Sequence, residues 1–190
     1  MRNPKHATQL HWFSHSAYRE FGRLQHGGDL RKGKRKLKRP IDTKRAMHVV
    51  FRSTRATGAL SMLARKNARK IDKIKAETAQ ATGVRVYAFA NSGNHLHLLI
   101  RGRRREDLQN FLRIFGALVA RAITGARKGI ATGKFWSHLV YTRVVEWGRA
   151  FKTAKLYVIQ NELEALGVWA RVPTRAPTRV PKERIRPAPA

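Results

Sequence analysis

Asn94-His95-Leu96-His97-Leu98-Leu99-Ile100 is the stretch from which the rest of the chain can be read. In an extended strand successive side chains point to opposite faces, so His95 and His97 project together while Leu96 and Leu98 face the other way. Two imidazoles on one face of an apolar strand are costly to bury unless they gain partners, and a metal ion is one natural partner. Just upstream, Val84-Arg85-Val86-Tyr87-Ala88-Phe89-Ala90 alternates in the same way, and Ser92-Gly93-Asn94 supplies turn chemistry. The two segments are therefore expected to pair as a hairpin.

Working outward, Met47, Val49 and Phe51 alternate with His48, Val50 and Arg52 and predict an earlier strand, with His48 at a surface or core edge. A helix is expected over 58–82, carrying Leu60, Leu63, Ile71 and Ile74, with Gly83 as a left-handed cap. Arg105-Glu106-Asp107 opens a second helix with acid at its amino end, where the helix dipole favours it. Leu108, Phe111, Leu112, Phe115, Leu118 and Val119 form that helix's apolar stripe. A glycine-bearing basic loop over 125–133, a strand over 139–145 and a last helix over 148–166, stopped at Gly167, complete the order. Strand, helix, strand, strand, helix, strand is the split βαβ-βαβ pattern of a ferredoxin-like α+β fold, with an antiparallel sheet and helices on one face. The final helix is an addition.

The flanks differ in kind. Residues 1–40 read as a basic, irregular arm, with Gly27-Gly28 marking a turn and 31–39 nearly all Arg and Lys. Residues 41–168 carry the folded domain. From 169 to 190 proline alternates with arginine, a composition that cannot build a core and predicts disorder. The 190 residues carry 41 Lys and Arg against 11 Asp and Glu, a formal net charge of +30. Self-repulsion on that scale points to a polyanionic partner, with nucleic acid first. A membrane surface is disfavoured, since no long apolar segment exists and the basic residues are not confined to one amphipathic helix. A ribosomal or chromatin-like binder is the plain alternative. The absence of cysteine excludes disulfides, thiolate zinc sites and thiol catalysis. Met1-Arg2-Asn3-Pro4-Lys5 is not followed by the apolar core of an export signal, so a cytoplasmic location is expected.

On the last helix, Phe151, Val158, Ile159, Leu163 and Leu166 cluster on one side at about 100° per residue. Tyr157 falls roughly opposite them, sharing a face with Gln160, Asn161 and Glu164. A surface or half-buried tyrosine is the ordinary reading.

Taken together, the His-x-His strand and a helix bearing tyrosine with an amide four residues later resemble the HUH endonuclease superfamily. Within it the chain is most similar to the REP-associated branch of the single-tyrosine transposases. The matching residues are Gly27-Gly28-Asp29-Leu30-Arg31, Arg39-Pro40, His48-Val49-Val50-Phe51-Arg52-Ser53, Asn94-His95-Leu96-His97-Leu98-Leu99, Phe135-Trp136 and Tyr157-Val158-Ile159-Gln160-Asn161. The resemblance implies that Tyr157 is the nucleophile and that His95, His97 and Asn161 are metal ligands. It implies single-stranded and hairpin DNA as substrate and a 5′-phosphotyrosine intermediate, in a monomer or homodimer. Asn161 stands where the insertion-sequence branch more often has glutamine, and Glu162 stands where the REP-associated branch commonly has proline.

Two imidazoles alone suggest zinc, manganese or another transition ion, because magnesium prefers oxygen. The resemblance implies Mg²⁺ or Mn²⁺. Candidate phosphate contacts are Arg31, Lys32, Lys34 and Arg35 of the arm, then Arg101, Arg103 and Arg104, then Arg127 and Lys128. Phe135 and Trp136 read as core or anchoring aromatics, with base stacking as the alternative. Two further readings stand beside the transposase: a replication-initiator or relaxase-type nickase, disfavoured by the lack of long extra domains, and a non-catalytic DNA-binding protein derived from the fold.

Overall fold

The computed structural model describes residues 24–31, 38–130 and 132–168. Their elements run β1 (Gln25–His26), β2 (Ala46–Arg52), α1 (Arg65–Thr82), β3 (Arg85–Asn91), β4 (His95–Arg101), α2 (Arg105–Thr124), β5 (Tyr141–Val145) and α3 (Arg149–Ala165). Five strands form one sheet in the order β1-β5-β2-β4-β3, and every neighbouring pair is antiparallel. The α+β expectation is met. The fifth strand is additional: Gln25 and His26 pair with Arg143 and Thr142, drawing part of the expected arm into the sheet.

Alternation in β2 and β4 divides the sheet into two faces. Met47, Val49 and Phe51 share one face with Leu96, Leu98 and Ile100, packed beneath Ile71 of α1 and Phe111, Phe115 and Val119 of α2. Each of these side chains is buried, and full burial of a large apolar group contributes about 1.5–3 kcal/mol. Phe135 belongs to this core, while Trp136 packs against Phe51 and donates its indole N–H to the Gly116 carbonyl at 2.8 Å. The aromatic pair therefore anchors the loop before β5.

The opposite face is covered by α3. Ala46, Leu99 and Val145 are buried there against Ala150, Phe151 and Ala154. That packing meets the expectation for Phe151 and Val158 and corrects it at the far end of the stripe, where Leu166 is exposed and Leu163 only half-buried. Two alanines let the helix lie close to the sheet, so the contact stripe is narrower than the apolar residues alone suggest.

The first helix also starts later than expected. Residues 58–60 make a short 3₁₀ turn, and the backbone beyond it bonds elsewhere. Met62 N–H donates to the Gly93 carbonyl at 2.9 Å, and Asn67 Nδ2 donates to the carbonyls of Ala59 and Ser61 at 3.0 and 2.8 Å. With these groups tied to the hairpin and to Asn67, the helix begins at Arg65 and ends, as expected, at left-handed Gly83.

Candidate active site

Strand register gathers the site. Val50 lies opposite His97, Arg52 opposite His95 and His48 opposite Leu99, so His48 is one diagonal step from His97 on the same face. On the other side of β2, Arg143 lies opposite His48 and Tyr141 opposite Val50. The face under α3 thus carries His48, His95, His97, Arg52, Arg143 and Tyr141 around one valine.

Placement of α3 over this face starts at its amino end. Gly148, at φ 86° and ψ −130°, makes a turn that a side chain would strain. Trp147 then packs on Phe151 with ring centroids 4.7 Å apart and donates its indole N–H to the Lys44 carbonyl at 2.8 Å. Tyr87 meets Phe151 edge-on at 5.2 Å. Fixed over Leu99 in this way, the helix carries Tyr157 toward the histidines, about one and a half turns farther on.

Tyr157 is half-buried and turned to the sheet, not away from it. Its ring centroid lies 5.8 Å from His48 and 5.8 Å from His97, nearly perpendicular to both. His48 and His97 are themselves stacked at 5.8 Å, and His95 stacks on His97 at 5.9 Å. Tyrosine and histidines of a single chain therefore meet. Asn161, one turn beyond Tyr157, is half-buried and donates Nδ2 to the Tyr157 carbonyl at 2.6 Å. That bond engages its amide nitrogen and leaves Oδ1 as the only side-chain atom able to ligate.

Burial favours the neutral form of two of these imidazoles, His48 and His95. Burial pushes His48 down to about 4, aided by the charge of Arg143. Burial likewise lowers His95 to about 4, aided by Arg52. Asp29 lies 3.7 Å from the Arg52 guanidinium and 2.8 Å from His138 Nε2, so a carboxylate stands at the rim beside Arg52.

The histidines fit a metal in one respect that sequence does not show. His95 Nδ1 lies 2.6 Å from Asn94 Oδ1, an arrangement that places the ring proton on Nδ1 and the lone pair on Nε2. Nε2 is buried and has no hydrogen-bond partner among the described residues, the condition expected of an open ligand atom. Among the described residues no three His, Asp or Glu side chains are gathered in a way that could hold a metal.

The other candidates divide. Arg101 lies at the far end of β4 from His95, roughly 20 Å away at about 3.3 Å per residue. Its guanidinium donates to the Thr43 carbonyl and lies over Trp147, while Arg104 caps α2 with Asp107. The structure does not bring Arg101, Arg103 or Arg104 to the site. Arg127 and Lys128 are exposed on the loop after α2. Lys32, Lys34 and Arg35 lie outside the described residues, and Arg31 closes a 3₁₀ turn after β1. Sequence reasoning missed His48 and Arg143 as site residues. Strand parity could have placed each on a face, but only the β2 register with β4 and β5 shows that the faces coincide.

No family model matches the chain, and no curated protein does. Among solved structures, that of a REP-associated tyrosine transposase bound to a REP hairpin is similar, with a TM-score of 0.54 at 10% identity over 71% of this chain and 76% of that one. A candidate transposase from Deinococcus radiodurans R1 superposes more loosely, with a TM-score of 0.41 at 17% identity over 67% and 98%. The chain shares the fold of the first. Among the described residues no helix is long and apolar enough to cross a membrane.

Proposed function

We propose that this protein is a transposase-type enzyme that cuts and rejoins DNA at hairpins with single-stranded flanks, through a covalent link to Tyr157. The observation that carries the reading is the Tyr157 ring seated against His48 and His97, with His95 beside them. A buried histidine cluster alone explains binding; a tyrosine directed at it adds a nucleophile.

In the proposed step the Tyr157 phenolic oxygen attacks the scissile phosphorus. The new O–P bond forms as the P–O3′ bond breaks, the phenol loses its proton, and the departing 3′-oxygen takes one up. The product is a 5′-phosphotyrosine and a free 3′-hydroxyl. A phenol with pKa about 10 leaves more readily than an alkoxide, so the link conserves the bond for rejoining to another 3′-hydroxyl. His48 and His97 hold the tyrosine ring in place, and Arg143 supplies positive charge to the phosphate oxygens. His95, His97 and Asn161 are the residues that would hold Mg²⁺ or Mn²⁺, which when bound supplies Lewis-acid neutralisation of the phosphoryl oxygens.

Incubation with end-labelled hairpin oligonucleotides and Mn²⁺ tests the reading. It predicts a denaturation-resistant protein–DNA adduct, abolished in Tyr157→Phe. Salt-sensitive binding without any adduct, across several hairpins, would make the protein a non-catalytic binder.

A further inference from the structure

A second basic feature lies on the other face of the sheet. Between α1, the last turn of α2 and the loop that follows is a cleft of about 780 Å³. Lys70, Arg121, Arg127 and Lys128 line it, Phe135 forms part of its floor, and no carboxylate is among its lining residues. Lys70 Nζ donates to the Ala122 carbonyl at 3.1 Å, which holds the ammonium at the cleft while leaving it two further N–H donors. Arg55 donates to the carbonyls of Thr132 and Lys134 at 2.8 and 3.1 Å, which shapes the opposite wall. Four like charges in one concavity repel one another and focus a positive potential, an arrangement stabilised by an anion.

The cleft is joined to the catalytic end of the sheet. Ser53 Oγ donates to the Phe135 carbonyl at 2.6 Å and Ser137 N–H donates to the Arg52 carbonyl at 2.9 Å. Arg52 lies opposite His95 on the catalytic face, whereas Phe135 is in the core beneath α1 and α2. The segment that bounds the cleft is thus tied to the end of β2 that carries Arg52, and the cleft and the histidine face share this end of the sheet.

We propose that the cleft is a second nucleic-acid site, which grips the phosphodiester backbone of the single-stranded flank beside the cut. This rests on the DNA-processing reading but not on cleavage. Its volume suits one or two nucleotides, within the ~300–1,000 Å³ of small-ligand sites. Phe135, at 4% exposure, offers almost no ring face, so the contact is to phosphates and is tolerant of sequence.

The test is fluorescence anisotropy of a hairpin with a labelled single-stranded flank, titrated across NaCl concentrations in a Tyr157→Phe background. Arg127→Glu with Lys128→Glu, both on the exposed loop, is compared with Arg103→Glu plus Arg113→Glu, exposed residues just before and midway along α2 and outside the cleft lining, an equal change of net charge. The cleft variant should lose at least tenfold more affinity than the control. Its log–log salt slope should flatten by about 1.4, the value for two lost contacts to a single strand. With a blunt stem lacking the flank, the two variants should match. Equal losses on the flanked substrate overturn the proposal, as does a cleft penalty that persists on the blunt stem. An Arg127→Gln, Lys128→Gln pair repeats the measurement without charge reversal, with thermal melts reporting the fold. Failure to form an adduct in the unmutated protein would refute cleavage and leave this result standing.

Discussion

Acid should unfold this protein through its buried imidazoles, and His48 allows the size of the effect to be worked out. The folded chain holds His48 at about 4 against an ordinary 6.5. Between those values the unfolded chain binds a proton that the folded chain refuses, so stability rises with pH. The contribution is complete above pH 6.5 and lost as pH falls toward 4. At pH 5 the unfolded imidazole is almost fully protonated and the folded one about a tenth protonated, so His48 costs about 2 kcal/mol relative to pH 7.5. His95, also lowered to about 4, adds a loss of the same sign over the same pH range. Asp42 and Asp107 are held below the usual carboxylate value by neighbouring arginines and backbone N–H groups, so their losses come at lower pH. Urea unfolding at pH 7.5 and pH 5, with a chelator present, measures the difference for the parent and for His48→Gln. The substitution should shrink the pH-dependent loss by about 2 kcal/mol, whatever it does to stability at either pH alone. An unchanged difference would show that His48 is not buried as a neutral group and would remove it from the site.

Other outcomes follow from single contacts. Ser53→Ala strands the buried carbonyl of Phe135 and should cost about 1–3 kcal/mol in chemical unfolding. Arg143→Gln removes a positive charge beside His48 and should raise the His48 pKa in an NMR titration, while burial still keeps it below 6.5. Mn²⁺ at a hundredfold its dissociation constant should stabilise the protein by about 2.7 kcal/mol, visible as a higher Tm. His95→Ala should abolish that shift, since the mutation removes the open Nε2.

What could be read from sequence depended on whether a residue's neighbours lie within its own element. Met47, Val49 and Phe51, or Leu96, Leu98 and Ile100, reveal a buried face by alternation alone. A two-residue strand has no period, so Gln25 and His26 could not be distinguished from the basic arm. Tyr157 was assigned to the right helix but to the outer side, because a search for large apolar residues overlooks Ala150 and Ala154, which define the contact. His48 appeared solitary because its partners belong to β4 and α3. Pairing between strands is set by the whole sheet, and no local pattern encodes it.

Covalent joining of Tyr157 to DNA is tested by direct analysis of the cleaved products. After reaction of a hairpin substrate with Mn²⁺, mass spectrometry of the protease-digested adduct should find a 5′-phosphorylated nucleotide on the peptide containing Tyr157, and the released fragment should carry a 3′-hydroxyl that a polymerase extends. A nucleotide on any other residue, or cleavage that persists in Tyr157→Phe, would exclude Tyr157 as the nucleophile.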